Sequence, residues 1–286
     1  MGISTRGWAV GQAGKAWQAL RARPLRTLAW GLAGLVLVVA ALLAYLAANA
    51  DRLASEISGQ VSVEEENALG EAILAEARLK VTLVDTGPAA DALQQIGDRL
   101  TSGSRFKYRW YVGERSEVNA FALPGGVVIV FAGLIEAAVS PEELAAVIAH
   151  EVAHAELRHG LKASIQKLGL AGLSRMLFFG AGDGFVQAAA AAGERKFSRD
   201  AEREADLDGL DRLIAARIDP KAMLNFYETL ARHARTGGPA LMASHPPTAE
   251  RLAALREEIA RRRGAGISAP VPLGIDWAAV RASIRR

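Results

Sequence analysis

The sequence predicts an α+β fold, mostly helical, with a small mixed β-sheet and a single transmembrane helix in front of it. Three observations carry this. An uncharged run of 24 residues lies near the N-terminus, from Thr27 to Ala50. Between Phe106 and Phe131 the hydrophobic pattern switches to strand-like alternation. On either side of that stretch, apolar positions recur at helical spacing behind good N-cap residues.

The leader comes first. Residues 1–26 carry Arg6, Lys15, Arg21, Arg23 and Arg26 and no acid, a charge of +5 within a chain total of +3. The remaining 260 residues therefore sum to −2. The basicity is a topology signal and not a nucleic-acid surface, so a nucleic-acid partner is not expected. As a helix, residues 27–50 reach about 36 Å, enough to cross a hydrocarbon core of about 30 Å. Trp30 and Tyr45 stand near its ends, at interfacial depth. With the positive charges before it, the positive-inside rule puts the N-terminus in the cytoplasm and the main body outside a bacterial inner membrane, in the periplasm. Ala48-Asn49-Ala50 resembles a signal-peptide cleavage site, but the long apolar run and long leader favour an uncleaved anchor. Cysteine is absent, which excludes disulfides, zinc–thiolate sites and a lipidated N-terminal cysteine.

Residues 51–61 read as a polar linker to a domain spanning 62–263, and 264–286 as a C-terminal tail. Ser62 and Glu65 form a capping box that opens a helix to about Ala77, and a second helix covers 88–100. Strands are expected over Phe106–Val112, Val118–Leu123 and Val127–Phe131, with Pro124 ending the middle one at a sheet edge. Ser140 caps the next helix with Pro141 first and Glu143 completing a capping box, Leu144, Ile148, Val152 and Ala155 give it one apolar face, and Gly160 suits its C-terminal turn. The segment 161–197 is apolar and glycine-rich, suiting paired core helices, a mobile cover over a cleft or a patch dipping into the nearby bilayer. Helices follow over 199–217, from Asp219-Pro220 to Gly237-Gly238, and from His245-Pro246-Pro247 to Arg263.

Three of the five histidines fall in HEVAHAELRH, residues 150–159. His150 and His154 are one helical turn apart, so both imidazoles project from one face and can bind one ion, with the Glu151 carboxylate beside them. With no cysteine, a third ligand must be His, Asp or Glu. Glu202 and Asp206 share a face of the helix that begins SRDAEREAD. If Glu202 binds the ion, Asp206 is placed to orient a ligand histidine.

HEVAHAELRH, then SRDAEREAD, then His245-Pro246-Pro247 with Arg251, together resemble the family of HtpX, Oma-type and CAAX-prenyl endopeptidases, membrane-associated gluzincin zinc metallopeptidases. Asn119-Ala120-Phe121-Ala122-Leu123-Pro124-Gly125-Gly126 matches a further motif of that family. The resemblance implies one zinc ion per chain held by His150, His154 and Glu202, with Glu151 as the catalytic base, and helices packed around a small sheet. Arg251, if folded over the cleft, would stabilise a developing oxyanion. The strand with Asn119, Ala120, Phe121 and Ala122 would bind extended substrate by its edge. His245, on a proline-bounded loop, is a candidate fourth ligand that would close the site, while His159 and His233 read as structural. One anchor instead of several favours misfolded envelope or membrane proteins as substrates over prenyl-peptide cleavage. A catalytically silent, membrane-tethered, chaperone-like module is the competing function, and an intact Glu151 argues against it, since holding a peptide needs no base.

Overall fold

The protein was analysed as a computed structural model, which describes residues 28, 30–46, 48–166, 197–233, 241 and 244–284. It divides into two compact units, Met1–Leu53 and Ala54–Arg286. In the first, residues 30–46 are helical and expose apolar side chains such as Leu35, Leu42 and Tyr45. Among the described residues no single helix is long and apolar enough to cross a membrane, and Trp30–Leu46 with Ala50–Gln60 meets that test only as a bent pair. The expected 27–50 span includes positions outside the described residues. Residues 51–61, expected as a linker, are mostly helical, in α1 (Ala50–Gln60).

The second unit is built on one four-stranded sheet. Its strands are β1 (Leu83–Val84), β2 (Arg109–Gly113), β3 (Ala120–Leu123) and β4 (Val127–Phe131), in the order β1-β2-β4-β3. The β2–β4 pairing is parallel and the other two are antiparallel, so the sheet is mixed and β3 is an edge. Strand alternation feeds two cores. Trp110, Val112, Val128 and Val130 face one, while Tyr111, Val127, Ile129 and Phe131 face the other. β4 is buried along its whole length, as a strand covered on both faces must be.

Helix α2 (Val63–Lys80) covers the second face with Leu69, Ile73 and Leu74, and its Ser62–Glu65 capping box is reciprocal. Gly125 and Gly126 turn from β3 into β4 with φ of 75° and 80°, a region closed to most side chains. On the first face lie α3 (Pro88–Leu100), the short α4 (Ala132–Ala137) and the motif helix α5 (Pro141–Glu156). Behind α5 pack α6 (Arg199–Ala215) and α7 (Lys221–His233), followed by α8 (Ala249–Gly264).

Three local readings change. The motif helix is buried on every side from Glu143 to Ala155, because its alanines let other elements close in where one apolar face was expected. Glu143 does not complete a capping box on Ser140. Its carboxylate accepts instead from the Val139 amide at 3.0 Å and the Thr229 hydroxyl at 3.1 Å. The residue that ends α5 in left-handed conformation is Arg158 (φ 58°), not Gly160, and residues 159–166 resume a helix. The Arg158 side chain offsets that strain by reaching Glu66 at 2.8 Å and the Ser58 carbonyl at 2.6 Å. Most of the 161–197 segment and the end of the helix expected to reach Gly237-Gly238 lie outside the described residues. The stretch read as a tail packs on the domain through α9 (Trp277–Ser283), with the Trp277 indole donating to the Ala138 carbonyl and Gln95 to the Leu273 carbonyl.

Candidate metal centre and catalytic cleft

The site forms where α5 and α6 cross. Gly209 lets them approach closely, since a Cβ there would stand 3.2 Å from the His150 amide nitrogen, and Ala205 is fully buried nearby. Ser198 caps α6 by accepting from the Ala201 amide. That start fixes the phase of the helix, which turns both Glu202 and Asp206 inward to α5.

His150, His154, Glu202 and His245 then meet in one buried group, with one donor atom of each within 4.8 Å of all the others. His150 Nε2 lies 3.1 Å from His154 Nε2 and 3.2 Å from His245 Nδ1. Glu202 oxygens stand 2.7 Å from His245 Nδ1 and 3.5 Å from the Nε2 atoms of His150 and His154. Four donors around a tetrahedral zinc, each bonded at about 2.0–2.1 Å, sit about 3.3 Å apart, which these separations match. Three imidazoles and one carboxylate form a donor set of the right chemistry, and the group fits a single zinc site.

The carboxylates make the pocket favour positive charge. Burial opposes protonation of His150, but hydrogen bonds and charges from Asp206 and Glu202 override it and raise the ring to about 10. Burial likewise disfavours the ionised forms of Glu202 and Asp206, yet hydrogen bonds from His150 and other partners hold both below the usual carboxylate range. Burial keeps His154 neutral, well below the normal histidine range, and pushes Glu151 upward.

Asp206 Oδ1 is 3.1 Å from His150 Nδ1, on the ring's far side from the donor group. Arg251 does not lie over the cleft as expected. Its guanidinium makes paired bonds to Asp206 at 2.8 and 2.7 Å, contacts Glu202 at 2.5 Å, and donates to the Tyr227 hydroxyl and the Pro246 carbonyl. It is therefore used up behind the metal ligands, and an oxyanion role has no free N–H to draw on in this arrangement. His245 approaches from the loop before α8. Its Nδ1 faces the donor group and its Nε2 stands 3.5 Å from Glu151 Oε1, an oxygen with no hydrogen-bond partner among the described residues.

Glu151 borders two cavities. One, small, is lined by apolar side chains of α7, including Met223, Phe226 and Leu230. The other, also small, runs between α5 and the β3 edge. Phe121 and Ala122 line this second cleft. Asn119 and Ala120 do not, because Ala120 turns into the core and the Asn119 carbonyl accepts from the Phe131 amide. His233 stays away from the site, on the Thr229 carbonyl.

Four further residues join the site. Tyr227 braces Arg251 and Asp206, and Phe197 stacks on His154 with ring centres 4.2 Å apart. His159, read as structural, lies 2.9 Å from His154 and 3.1 Å from Glu204. In the sequence, His159 is the last histidine of HEVAHAELRH and Glu204 lies within SRDAEREAD, whereas Tyr227 and Phe197 belong to neither motif.

The model of peptidase family M48 matches residues 88–259, more than half of the chain. The chain belongs to peptidase family M48. The matched region runs from α3 into α8 and contains every residue of the donor group. Among its relatives, a beta-barrel assembly-enhancing protease of Yersinia pestis is 28% identical over 214 residues, covering 68% of this chain and 44% of that protein. A mitochondrial metalloendopeptidase OMA1 of Arabidopsis thaliana is 39% identical over 133 residues, 45% of this chain and 27% of that one. A metalloprotease YcaL of Escherichia coli strain K12 is 32% identical over 185 residues, 60% of this chain and 68% of that one. The chain thus spans less than half the length of the first two relatives.

Proposed function

We propose that this chain is a membrane-anchored zinc metalloendopeptidase that hydrolyses peptide bonds in misfolded or misassembled proteins of the bacterial envelope. The observation that carries the reading is the buried His150–His154–Glu202–His245 group with the Glu151 carboxylate at its rim. When bound, zinc polarises a peptide carbonyl and acidifies a water. The residues do the rest. Glu151, its basicity raised by burial, takes a proton at its carboxylate and passes it to the leaving amine. An extended substrate lies along Phe121 and Ala122 at the sheet edge, held mainly by its backbone. Arg251 and Asp206 hold Glu202 and His150 in register, and are positioning residues. His245 Nδ1 stands among the other three donors, so if all four held zinc, His245 would shield the ion from water and would have to withdraw before substrate is cut.

The envelope role rests on the +5 leader ahead of the apolar run and on a relative whose name refers to β-barrel assembly. Digestion of casein by the full chain, with and without chelator, tests the activity. Chelator-insensitive cleavage, or none under any condition, rejects it and leaves the client-binding module. An alkaline phosphatase fusion after residue 60 tests the topology and should be active.

A further inference from the structure

His159 is a buried titratable group that the proposed chemistry leaves unused. On an uninterrupted helix a residue five positions after His154 points about 140° away from it. Here α5 breaks at Arg158, whose left-handed backbone (φ 58°) is held by the Glu66 carboxylate and the Ser58 carbonyl. The break swings His159 back. Its Nδ1 lies 2.9 Å from His154 Nδ1, and its Nε2 lies 3.1 Å from Glu204 Oε2. The His159 side chain is 3% exposed and that of Glu204 60%, so the contact leads from the donor group to solvent.

The proton arrangement along this line follows from ring chemistry. His154 presents Nε2 to the other donors, 3.1 Å from His150 Nε2 and 3.5 Å from Glu202 Oε1. Ligation through Nε2 requires the lone pair there, so the proton of His154 is on Nδ1. That N–H meets His159 Nδ1, which must accept it. The proton of His159 then sits on Nε2 and is donated to the Glu204 carboxylate. A doubly protonated His159 would set two N–H groups against each other at 2.9 Å.

We propose that His159 is a positioning residue for zinc, relaying the Glu204 carboxylate to His154 and fixing its tautomer and ring orientation. This rests on the zinc-site reading above. The two histidine ligands are supported differently. His150 has a buried carboxylate, Asp206, directly at its Nδ1, whereas the Nδ1 of His154 reaches a carboxylate through a second imidazole.

The test is zinc affinity of the full chain in detergent, by chelator competition, beside thermal unfolding of the metal-free form. His159→Ala should raise the zinc Kd about 10- to 100-fold, the usual cost of losing such support. His159→Asn, whose Oδ1 falls near the place of Nδ1, should stay close to wild type, and His159→Gln, which mimics Nε2 alone, should weaken like Ala. An unchanged Kd in Ala, or Asn and Gln that merely follow their metal-free stabilities, overturns the proposal. Nitrogen chemical shifts of the zinc-loaded wild type need no variant to fold. A His159 protonated at Nδ1 overturns the relay, while wild-type protein that binds no zinc overturns the metal site itself.

Discussion

His245 and Glu202 meet at 2.7 Å inside the donor group, although they are 43 positions apart and lie on different elements. The same ring turns its Nε2 toward Glu151. One residue thus stands both among the donors and against Glu151. His245→Ala should raise basal casein hydrolysis while zinc content, measured by metal analysis, is retained by the other three ligands. Activity at or below wild type would remove the inhibitory role and leave His245 as a structural or substrate-contacting group.

Glu151 and Glu202 are both buried carboxylates within the same site, yet they should fail in opposite ways. Glu151→Gln should keep zinc and lower turnover by about 100- to 10,000-fold, the range for a positioned proton carrier. Glu202→Ala should lose most of the metal. A Glu151→Gln protein that still cuts, or a Glu202→Ala protein that is fully loaded, would reject the assignment.

Arg251 neutralises two buried carboxylates at once. Arg251→Gln should destabilise the metal-free protein by about 3–5 kcal/mol, the cost of stranding a buried charge. Zinc partly replaces the lost positive charge, so the loss measured by urea unfolding should shrink when zinc is present. Arg251→Lys should fall between, since an ammonium cannot bridge Asp206 with two parallel bonds. Equal losses with and without metal would show that Arg251 supports the fold alone.

Glu66 is 1% exposed, and burial raises its pKa to about 6 against the pull of Arg158, from 4.5 when free. The folded state therefore holds this proton more tightly than the unfolded state. Its contribution falls as pH rises from about 4.5 to about 6, by about 2 kcal/mol, and is flat outside that window. Glu66→Gln carries no such proton. The stability difference between wild type and this variant should shift against wild type across that window. A difference independent of pH would place the Glu66 carboxyl at its ordinary value.

Local rules determined much of this protein. The two histidines of HEVAHAELRH share a face because of the helical repeat, and Ser62, Ser140 and Ser198 start their helices through bonds within three residues. Strand alternation from Arg109 to Phe131 likewise sorted side chains into two cores before any partner was known. Other features depended on distance between elements, which no local pattern encodes. Arg251 faces Asp206 instead of the cleft because α8 lies against α6. The Glu143 amide keeps its bond to Ser140, but its carboxylate turns to the Val139 amide and to Thr229 of α7. Arg158 takes the left-handed turn that Gly160 seemed made for, because Glu66 and Ser58 repay its strain, and His159 thereby reaches His154. Backbone periodicity and capping are energies of neighbours in sequence. Buried charge is an energy of neighbours in space, and only packing decides which charges those are.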